Sequence, residues 1–224
     1  MTVDEILTEL AAHGSERNRR GMARFGINTR RALGVSMVVI RRLGKQIGRN
    51  HDLGLDLWAT EVHEARILAS VVADPARVTV QIMDSWVEDF DSWDLCDQVC
   101  GNLFDRTPHA WTKAIEWSGR DEEFVKRAGF ALMAYLAVHD KKAADESFMQ
   151  FLPIIEAESD DARNFVTKAI SWALRQIGKR NTALHAAAIE TATAMIEGSK
   201  AAERVARDGL RELESAKVRR RLGL

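Results

Sequence analysis

A tryptophan and an aspartate near the middle of the chain have the spacing of neighbours on one helix face. Trp93 and Asp97 are four residues apart in a segment with helical periodicity, so about 100° per residue places them one turn apart. Gly101 continues this face and leaves room for a ligand to approach. The residues that can turn the other way, into a core, are Leu95, Cys96, Val99, Cys100 and Leu103. An aromatic ring beside a carboxylate suits a ligand with an apolar surface and a developing positive charge. The alternative is a packed indole beside a solvated acid.

A second candidate surface lies later in the chain, where cations surround another tryptophan. Its members share one face of a predicted helix, at positions i, i+4, i+7 and i+11: Lys168, Trp172, Arg175 and Lys179. Basic side chains can contact phosphates while the indole stacks on a nucleotide. The alternative is a tryptophan at a packed edge whose long neighbours extend into solvent.

An arginine among small residues is the third candidate. Arg127 shares a predicted helix face with Phe124, Ala131 and Ala134. A guanidinium in such surroundings can bind a phosphate at close range, because its planar donors match the phosphate oxygens. A salt bridge between two helices is the alternative role for Arg127.

Patterns typical of other catalytic sites do not occur in this sequence. There is no GxSxG, no glycine-rich phosphate loop and no HExxH. Cys96 and Cys100 lie four residues apart on one predicted helix, which is poor geometry for a disulfide, and no second Cys or His pair lies near them in sequence. We interpret the two cysteines as small core residues, and we expect no metal and no cofactor.

Charge is unevenly distributed along the 224 residues, although the net charge is only −1. Residues 1–50 carry ten Lys or Arg against four Asp or Glu, whereas residues 51–120 carry five against thirteen. The basic N-terminal region could bind a polyanion or could be a solvated face. No apolar run is long enough to span a membrane and the N-terminus does not resemble a signal peptide, so we expect a cytoplasmic protein.

Helical periodicity recurs along the chain, and no convincing strand pattern interrupts it. The predicted helices are 3–12, 35–48, 51–59, 62–73, one from Asp74-Pro75 to about Phe90, one through Trp93, one from Thr107-Pro108, then 122–138, one to about Glu158, 161–178, 181–197 and 200–215. Pairs recur every 35 to 45 residues or so, as in HEAT and armadillo repeats. We predict an all-α solenoid with a concave surface, as a single domain over 1–224 with a basic tail at 217–224.

Several short stretches in order resemble one known family. They are Met22–Ile27, His63–Arg66, Trp93–Asp97, Lys126–Ala128 and Lys168–Arg175. On these stretches the chain resembles the bacterial DNA alkylation repair family, the AlkD-like alkylpurine DNA glycosylases built from HEAT-like repeats. The likeness extends from about residue 15 to residue 215.

The resemblance implies roles for particular residues. Trp93, Asp97, Arg127 and Trp172 match the family's motif positions on the concave surface. The two tryptophans would pack against the sugar and backbone of the lesion, and Asp97 would stabilise the sugar cation and help to place water. Arg127 and the cations Lys168, Arg175 and Lys179 would bind phosphates. Some members carry an N-terminal tyrosine that contributes to DNA binding, whereas the only tyrosine here, Tyr135, lies in a different predicted helix.

The activity that the resemblance implies is hydrolysis of the N-glycosidic bond of N3- or N7-alkylated purines in duplex DNA. Such a purine is cationic and leaves as a neutral base, so no general acid is needed. A carboxylate beside an aromatic ring suits the remaining task, which is to stabilise the sugar cation. We see no Schiff-base lysine, so strand cleavage is not expected, and we expect a monomer. The alternative functions are a non-catalytic scaffold that binds DNA and a protein-binding solenoid.

Overall fold

The computed structural model describes all residues from 1 to 224 as helices joined by turns and loops, with no strand. The all-α prediction is therefore confirmed. The helices group into two compact units, Met1–Pro108 and His109–Leu224, which are described one at a time. The single domain over 1–224 stays a prediction. None of the helices combines the length and the apolar character that a membrane crossing requires.

Each unit contains a series of short helices. The first unit contains α1 (Val3–Ala12), α2 (Glu16–Arg24), α3 (Met37–Ile47), α4 (His51–Ala59), α5 (His63–Val72), α6 (Val80–Glu88) and α7 (Trp93–Asn102). The second contains α8 (Ala110–Ser118), α9 (Glu123–His139), α10 (Asp145–Met149), α11 (Phe151–Ala157), α12 (Asn164–Gly178), α13 (Thr182–Ala194), α14 (Lys200–Leu213) and α15 (Ala216–Leu222). Within the units, α4 pairs with α5, α8 with α9, and α12 lies between α9 and α14.

The prediction of a helix from Asp74-Pro75 to Phe90 is wrong at its start. Asp74 accepts a hydrogen bond from the backbone N–H of Ala76 at 3.2 Å, and the chain forms one tight 3₁₀ turn there. The backbone is then extended at Val78 and Thr79, so the turn cannot continue into a helix. Helix α6 begins at Val80, where the Thr79 hydroxyl accepts from the N–H of Ile82.

Further differences from the sequence-based elements concern α8, α12, the C-terminal tail and the helix predicted to end near Glu158, which is divided at Gln150 into α10 and α11. Helix α8 begins at Ala110 rather than at Thr107-Pro108, because the Thr107 hydroxyl donates back to the Phe104 carbonyl and closes the preceding turn. Helix α12 begins after Arg163, which pairs with Asp161. The predicted basic tail forms helix α15, capped by Ser215 and packed through Val218, which is only 6% exposed.

A buried glutamate holds the loop that carries α2. Glu64 on α5 is 1% exposed, and its carboxylate accepts backbone N–H bonds from Leu33, Gly34 and Val35 at 2.7 to 3.1 Å. Three donors satisfy a carboxylate that would otherwise be costly to bury. The same loop receives the start of α2, since Asn18 donates to the Gly34 carbonyl at 3.0 Å. Helix α2 has no buried residue of its own, so these bonds position it.

Gly34 is the residue of this loop that tolerates substitution least. Its φ is +79°, and a Cβ there would lie 2.2 Å from the Ser15 carbonyl oxygen, so both backbone strain and a clash oppose any side chain. We expect Gly34→Ala to lower the free energy of unfolding by about 2 kcal/mol or more, as measured by urea denaturation. Gly48 also has a positive φ but no atom near its missing Cβ, so Gly48→Ala is the matched control and should cost less.

In the second unit, close helix packing depends on a glycine of α9. A Cβ at Gly129 would lie 2.4 Å from the Ser118 backbone nitrogen, so the two backbones of α8 and α9 approach through its missing side chain. The buried side of α9 is almost entirely small or apolar, and α12 packs on it. This arrangement fixes α9 and α12 relative to each other, and with them Arg127 and Trp172.

Candidate functional site

Helix α7 presents Trp93 and Asp97 from a buried base. The sequence-based prediction that Leu95, Cys96, Val99 and Cys100 turn into the core is confirmed, since none of these four is more than 1% exposed. Trp93 and Asp97 are half-buried on the other side. Gly101, which we expected to leave an open space beside them, is buried within α7's packing.

An ion pair joins the start of α7 to α5. The Nε2 of His63 lies 2.9 Å from the Oδ2 of Asp94, and His63 is 4% exposed. Burial alone would lower the pKa of His63, but the hydrogen bond to Asp94 and the nearby carboxylates of Asp94, Glu64 and Asp91 raise the pKa above its usual value. The other oxygen of Asp94, Oδ1, is buried without a hydrogen-bond partner. When protonated, His63 therefore offsets the charge of Asp94 beside Trp93.

The indole of Trp93 is held by the end of α2. Its Nε1–H donates to the carbonyl oxygen of Phe25 at 2.9 Å, across 68 residues of sequence. The Phe25 ring itself is 72% exposed, which is unusual for a large apolar side chain. Phe25 is not among the site residues expected from the sequence. Its position among several arginines in the sequence is the signal that could have drawn attention to it.

An open groove of about 1080 Å³ runs along α2 and is lined at one place by Trp93. Its apolar lining includes Met22, Phe25 and Ile27. Its basic lining comes from one helix: Arg17, Arg20 and Arg24. Arg20 pairs with Glu16 at 3.4 Å, whereas Arg17 and Arg24 make no salt bridge. Exposed cations interleaved with aromatic rings suit a polyanion that also has flat apolar surfaces.

Arg127, the third sequence-based candidate, is buried in the second unit. It is 6% exposed, and its Nη1 donates to the Phe165 carbonyl of α12 at 2.6 Å. Its neighbour Lys126 pairs with Glu158 at 2.8 Å and with Asp161 at 3.5 Å. Arg127 thus makes a contact between two helices through this carbonyl. Its phosphate contact stays a prediction.

Trp172 lies half-buried on α12 against the only tyrosine of the chain. The rings of Trp172 and Tyr135 meet edge to face, with centroids 5.0 Å apart and planes at 80°. This geometry is favourable for aromatic pairs and fixes the orientation of the indole. Lys168, one turn before Trp172, is exposed and makes no salt bridge.

Carboxylates of α14 pair with two of the three cations in the row on α12. Glu212 of α14 pairs with Arg175 and with Lys179, the latter at 2.5 Å, and Asp208 lies 3.5 Å from Arg175. Burial would raise the pKa of Glu212, but the hydrogen bonds from Lys179 and Arg175 hold that pKa below its usual value. Two of the three cations are therefore neutralised. The DNA contacts of Lys168, Arg175 and Lys179 stay predictions.

The two cysteines lie in the core of the first unit and are unbridged. Burial raises the pKa of Cys100 well above its usual value, so this thiol stays protonated at neutral pH. No group of three or more His, Cys, Asp or Glu side chains is arranged to hold a metal ion.

Packed helix pairs with a basic, aromatic-lined groove define a helical protein suited to binding a polyanion. A family profile described as DNA alkylation repair enzyme matches residues 6–213, and the chain belongs to this family. A solved structure matches over 100% of this chain and 97% of its own, at a TM-score of 0.81 and 22% identity. It represents "a new family of proteins related to the HEAT-like repeat DNA glycosylases with affinity for branched DNA structures". No curated protein matches.

The structural likeness establishes the fold. The protein has the HEAT-like repeat fold that the sequence resemblance implied, and the recognition of the DNA alkylation repair family is confirmed.

Proposed function

We propose that this protein is a monofunctional DNA glycosylase that hydrolyses the N-glycosidic bond of N3- and N7-alkylated purines in duplex DNA. One observation carries the proposal within a family of DNA alkylation repair enzymes. A half-buried carboxylate, Asp97, lies one helical turn from Trp93, and Trp93 borders a groove with exposed arginines and an exposed phenylalanine.

The proposed chemistry uses the charge that the lesion already carries. Alkylation at N3 or N7 makes the purine cationic, so the C–N bond breaks with departure of a neutral base and leaves positive charge on the deoxyribose. The carboxylate of Asp97 stabilises this cation and orients the water that adds to C1′, while its fixed position avoids reorganisation during the reaction. The water's second proton goes to solvent. The product is an abasic site in an intact strand.

The other sequence-based candidates have supporting roles in this proposal. Trp93 and Trp172 pack against the sugar and backbone of the damaged nucleotide. Each indole has its orientation fixed by a neighbour, through the Phe25 carbonyl for Trp93 and the Tyr135 ring for Trp172. Arg127, Lys168, Arg175 and Lys179 remain the proposed phosphate contacts. The monomeric state and the cytoplasmic location also stay predictions.

The test of this proposal distinguishes base loss from strand cleavage. Methylated duplex DNA is incubated with the protein, and strand breaks are counted before and after treatment with alkali, which cleaves at abasic sites. We expect new breaks only after alkali. Breaks before alkali treatment would contradict the monofunctional assignment. If neither sample contains more breaks than methylated DNA incubated without protein, glycosylase activity is contradicted.

Substitutions at Trp93 separate the ring from its hydrogen bond. Trp93→Phe keeps an aromatic ring but loses the N–H that bonds to Phe25, and a partly exposed hydrogen bond contributes only about 1 kcal/mol. We expect Trp93→Phe to retain most of its single-turnover excision rate. Trp93→Ala should be at least about fivefold slower, because the contact of an aromatic ring with a nucleotide contributes about 1–3 kcal/mol. Equal rates for Trp93→Ala and wild type would remove Trp93 from the site.

A non-catalytic scaffold that binds DNA is the second candidate, favoured by the affinity of the structural neighbour's family for branched DNA. It predicts that a four-way junction competes for the protein better than a linear duplex of the same length and charge. It also predicts that an alkylated purine in the duplex leaves the affinity unchanged. Competition binding with these three DNAs distinguishes the scaffold from the glycosylase.

A further inference from the structure

A second row of cations lies on α14, next to the row on α12. Its members occupy positions i, i+4, i+7 and i+11 of one helix: Lys200, Arg204, Arg207 and Arg211. Because 100° per residue brings these positions to one face, the four side chains line the same side of α14. Helix α12 packs beside α14 and contributes Lys168.

The α14 row and Lys168 of the α12 row border a groove of about 550 Å³ that lies wholly within the second unit. Five basic side chains and two carboxylates line it, which leaves an excess of three positive charges. The carboxylates, Glu203 and Asp208, do not offset this excess further. Each already has partners, since Glu203 pairs with Arg207 at 2.7 Å and Asp208 pairs with Arg211.

Asp208 has a further partner that fixes the wall of the groove. The hydroxyl of Ser171, a buried residue of α12, donates to Oδ2 of Asp208 at 2.6 Å. This bond joins α12 to α14 directly beneath the groove. The groove therefore has a rigid, hydrogen-bonded base beneath its exposed cations.

The uncompensated charge belongs to three particular residues. Lys168, Lys200 and Arg204 are exposed, line the groove and make no salt bridge. Arg175 and Lys179 differ from them, because both are held by Glu212 and would have to leave that carboxylate to bind an anion. An incoming anion meets the three unpaired cations without that cost.

We infer that the groove between α12 and α14 binds the phosphate backbone of one DNA strand through Lys168, Lys200 and Arg204. This inference rests on the proposed function, since it places DNA on this protein. The eleven-residue span of the α14 row is about 16 Å at 1.5 Å per residue, which corresponds to about five nucleotides at 3.4 Å per nucleotide of one strand. The contacts are to phosphates, so they carry no sequence preference.

The test is the salt dependence of binding to an undamaged duplex, measured by fluorescence anisotropy. The variant combines Lys168→Ala, Lys200→Ala and Arg204→Ala. Each lost phosphate contact should make the slope of log affinity against log salt shallower by about 0.9, so the triple variant should lose about 2.7 in total. The matched control combines Lys141→Ala, Lys142→Ala and Lys217→Ala, three exposed lysines outside this groove that make no salt bridge. It removes the same total charge.

The outcomes separate the groove from the function on which it rests. The assignment is supported if the slope of log affinity against log salt becomes shallower in the groove variant and stays near the wild-type value in the control. Equal slopes for wild type and the groove variant, or equal losses in both triple variants, overturn it. Absence of duplex binding by the wild type itself instead contradicts the proposed function. The unfolding temperature of the groove variant is compared with that of the wild type. If the two differ, the single variants Lys200→Ala and Arg204→Ala are measured instead, and each should make the slope shallower by about 0.9.

Discussion

Asp97→Asn should slow base excision by about 100-fold to 1000-fold while leaving DNA binding at least as tight as in the wild type. The substitution keeps the size and shape of the side chain but removes the negative charge that stabilises the sugar cation. Removing one preorganised electrostatic contact to a transition state typically costs about 3–4 kcal/mol. The affinity for DNA should not fall, because the lost charge repels the phosphate backbone.

The measurement separates these two effects in one preparation. Single-turnover rates with saturating protein report the chemical step, and anisotropy with an undamaged duplex reports binding. Asp94→Asn is not a suitable control, because Asp94 pairs with His63. Asp91→Asn is preferable, since Asp91 is exposed and its Oδ2 accepts a hydrogen bond from Asn28. Equal losses in affinity and rate for Asp97→Asn would mean that the residue supports binding rather than catalysis.

His63→Ala should lower the free energy of unfolding by about 3 kcal/mol, the lower end of the range for breaking a buried ion pair. The removed imidazole leaves Asp94 with a buried carboxylate whose Oδ1 already lacks a partner. The lower end applies because the Asp94 side chain keeps 17% of its exposure to solvent. The double variant His63→Ala/Asp94→Ala removes the orphaned charge and should recover part of the loss. If the losses in unfolding free energy of His63→Ala and Asp94→Ala simply add in the double variant, the two residues do not stabilise each other.

The same pair makes the stability of the protein depend on pH. The pKa of His63 is raised on folding, so the folded state binds its proton more tightly than the unfolded state does. The resulting stabilisation is complete below the ordinary pKa of about 6.5 and is lost as pH rises through the raised value. The difference in unfolding free energy between wild type and His63→Gln should therefore become smaller as the pH is raised above about 6.5. A difference that grows over this range would reverse the assignment.

Local periodicity was enough to predict the part of the site that lies on one helix. The spacing of Leu95, Cys96, Val99 and Cys100 placed these side chains in the core, because a helix face repeats every three or four residues. The exposure of Trp93 on the other side follows from the same register. The break between α4 and α5 at 60–62 was predicted correctly for a similar reason, as it depends on neighbouring residues only.

Contacts between residues distant in sequence could not be predicted in this way. The bond from Trp93 to Phe25 spans 68 residues, and the pair between Arg175 and Glu212 spans 37. Spacing on one helix shows which side chains share a face but not which groups the next helix brings to it. Two of the three cations in the row on α12 are thus neutralised by Glu212 from another helix. The false start at Pro75 had a local cause, since the Asp74 side chain closed a tight turn first.

The most direct test of the central claim is chromatographic measurement of free base released from one duplex that contains a single 7-methylguanine. Wild-type protein and Asp97→Asn are compared at saturating concentrations with a sample that contains no protein. The glycosylase account predicts release by the wild type well above the spontaneous rate, with Asp97→Asn about 100-fold slower or more. Release at the spontaneous rate by both proteins, despite normal binding to the duplex, would contradict the account and favour a scaffold that binds DNA.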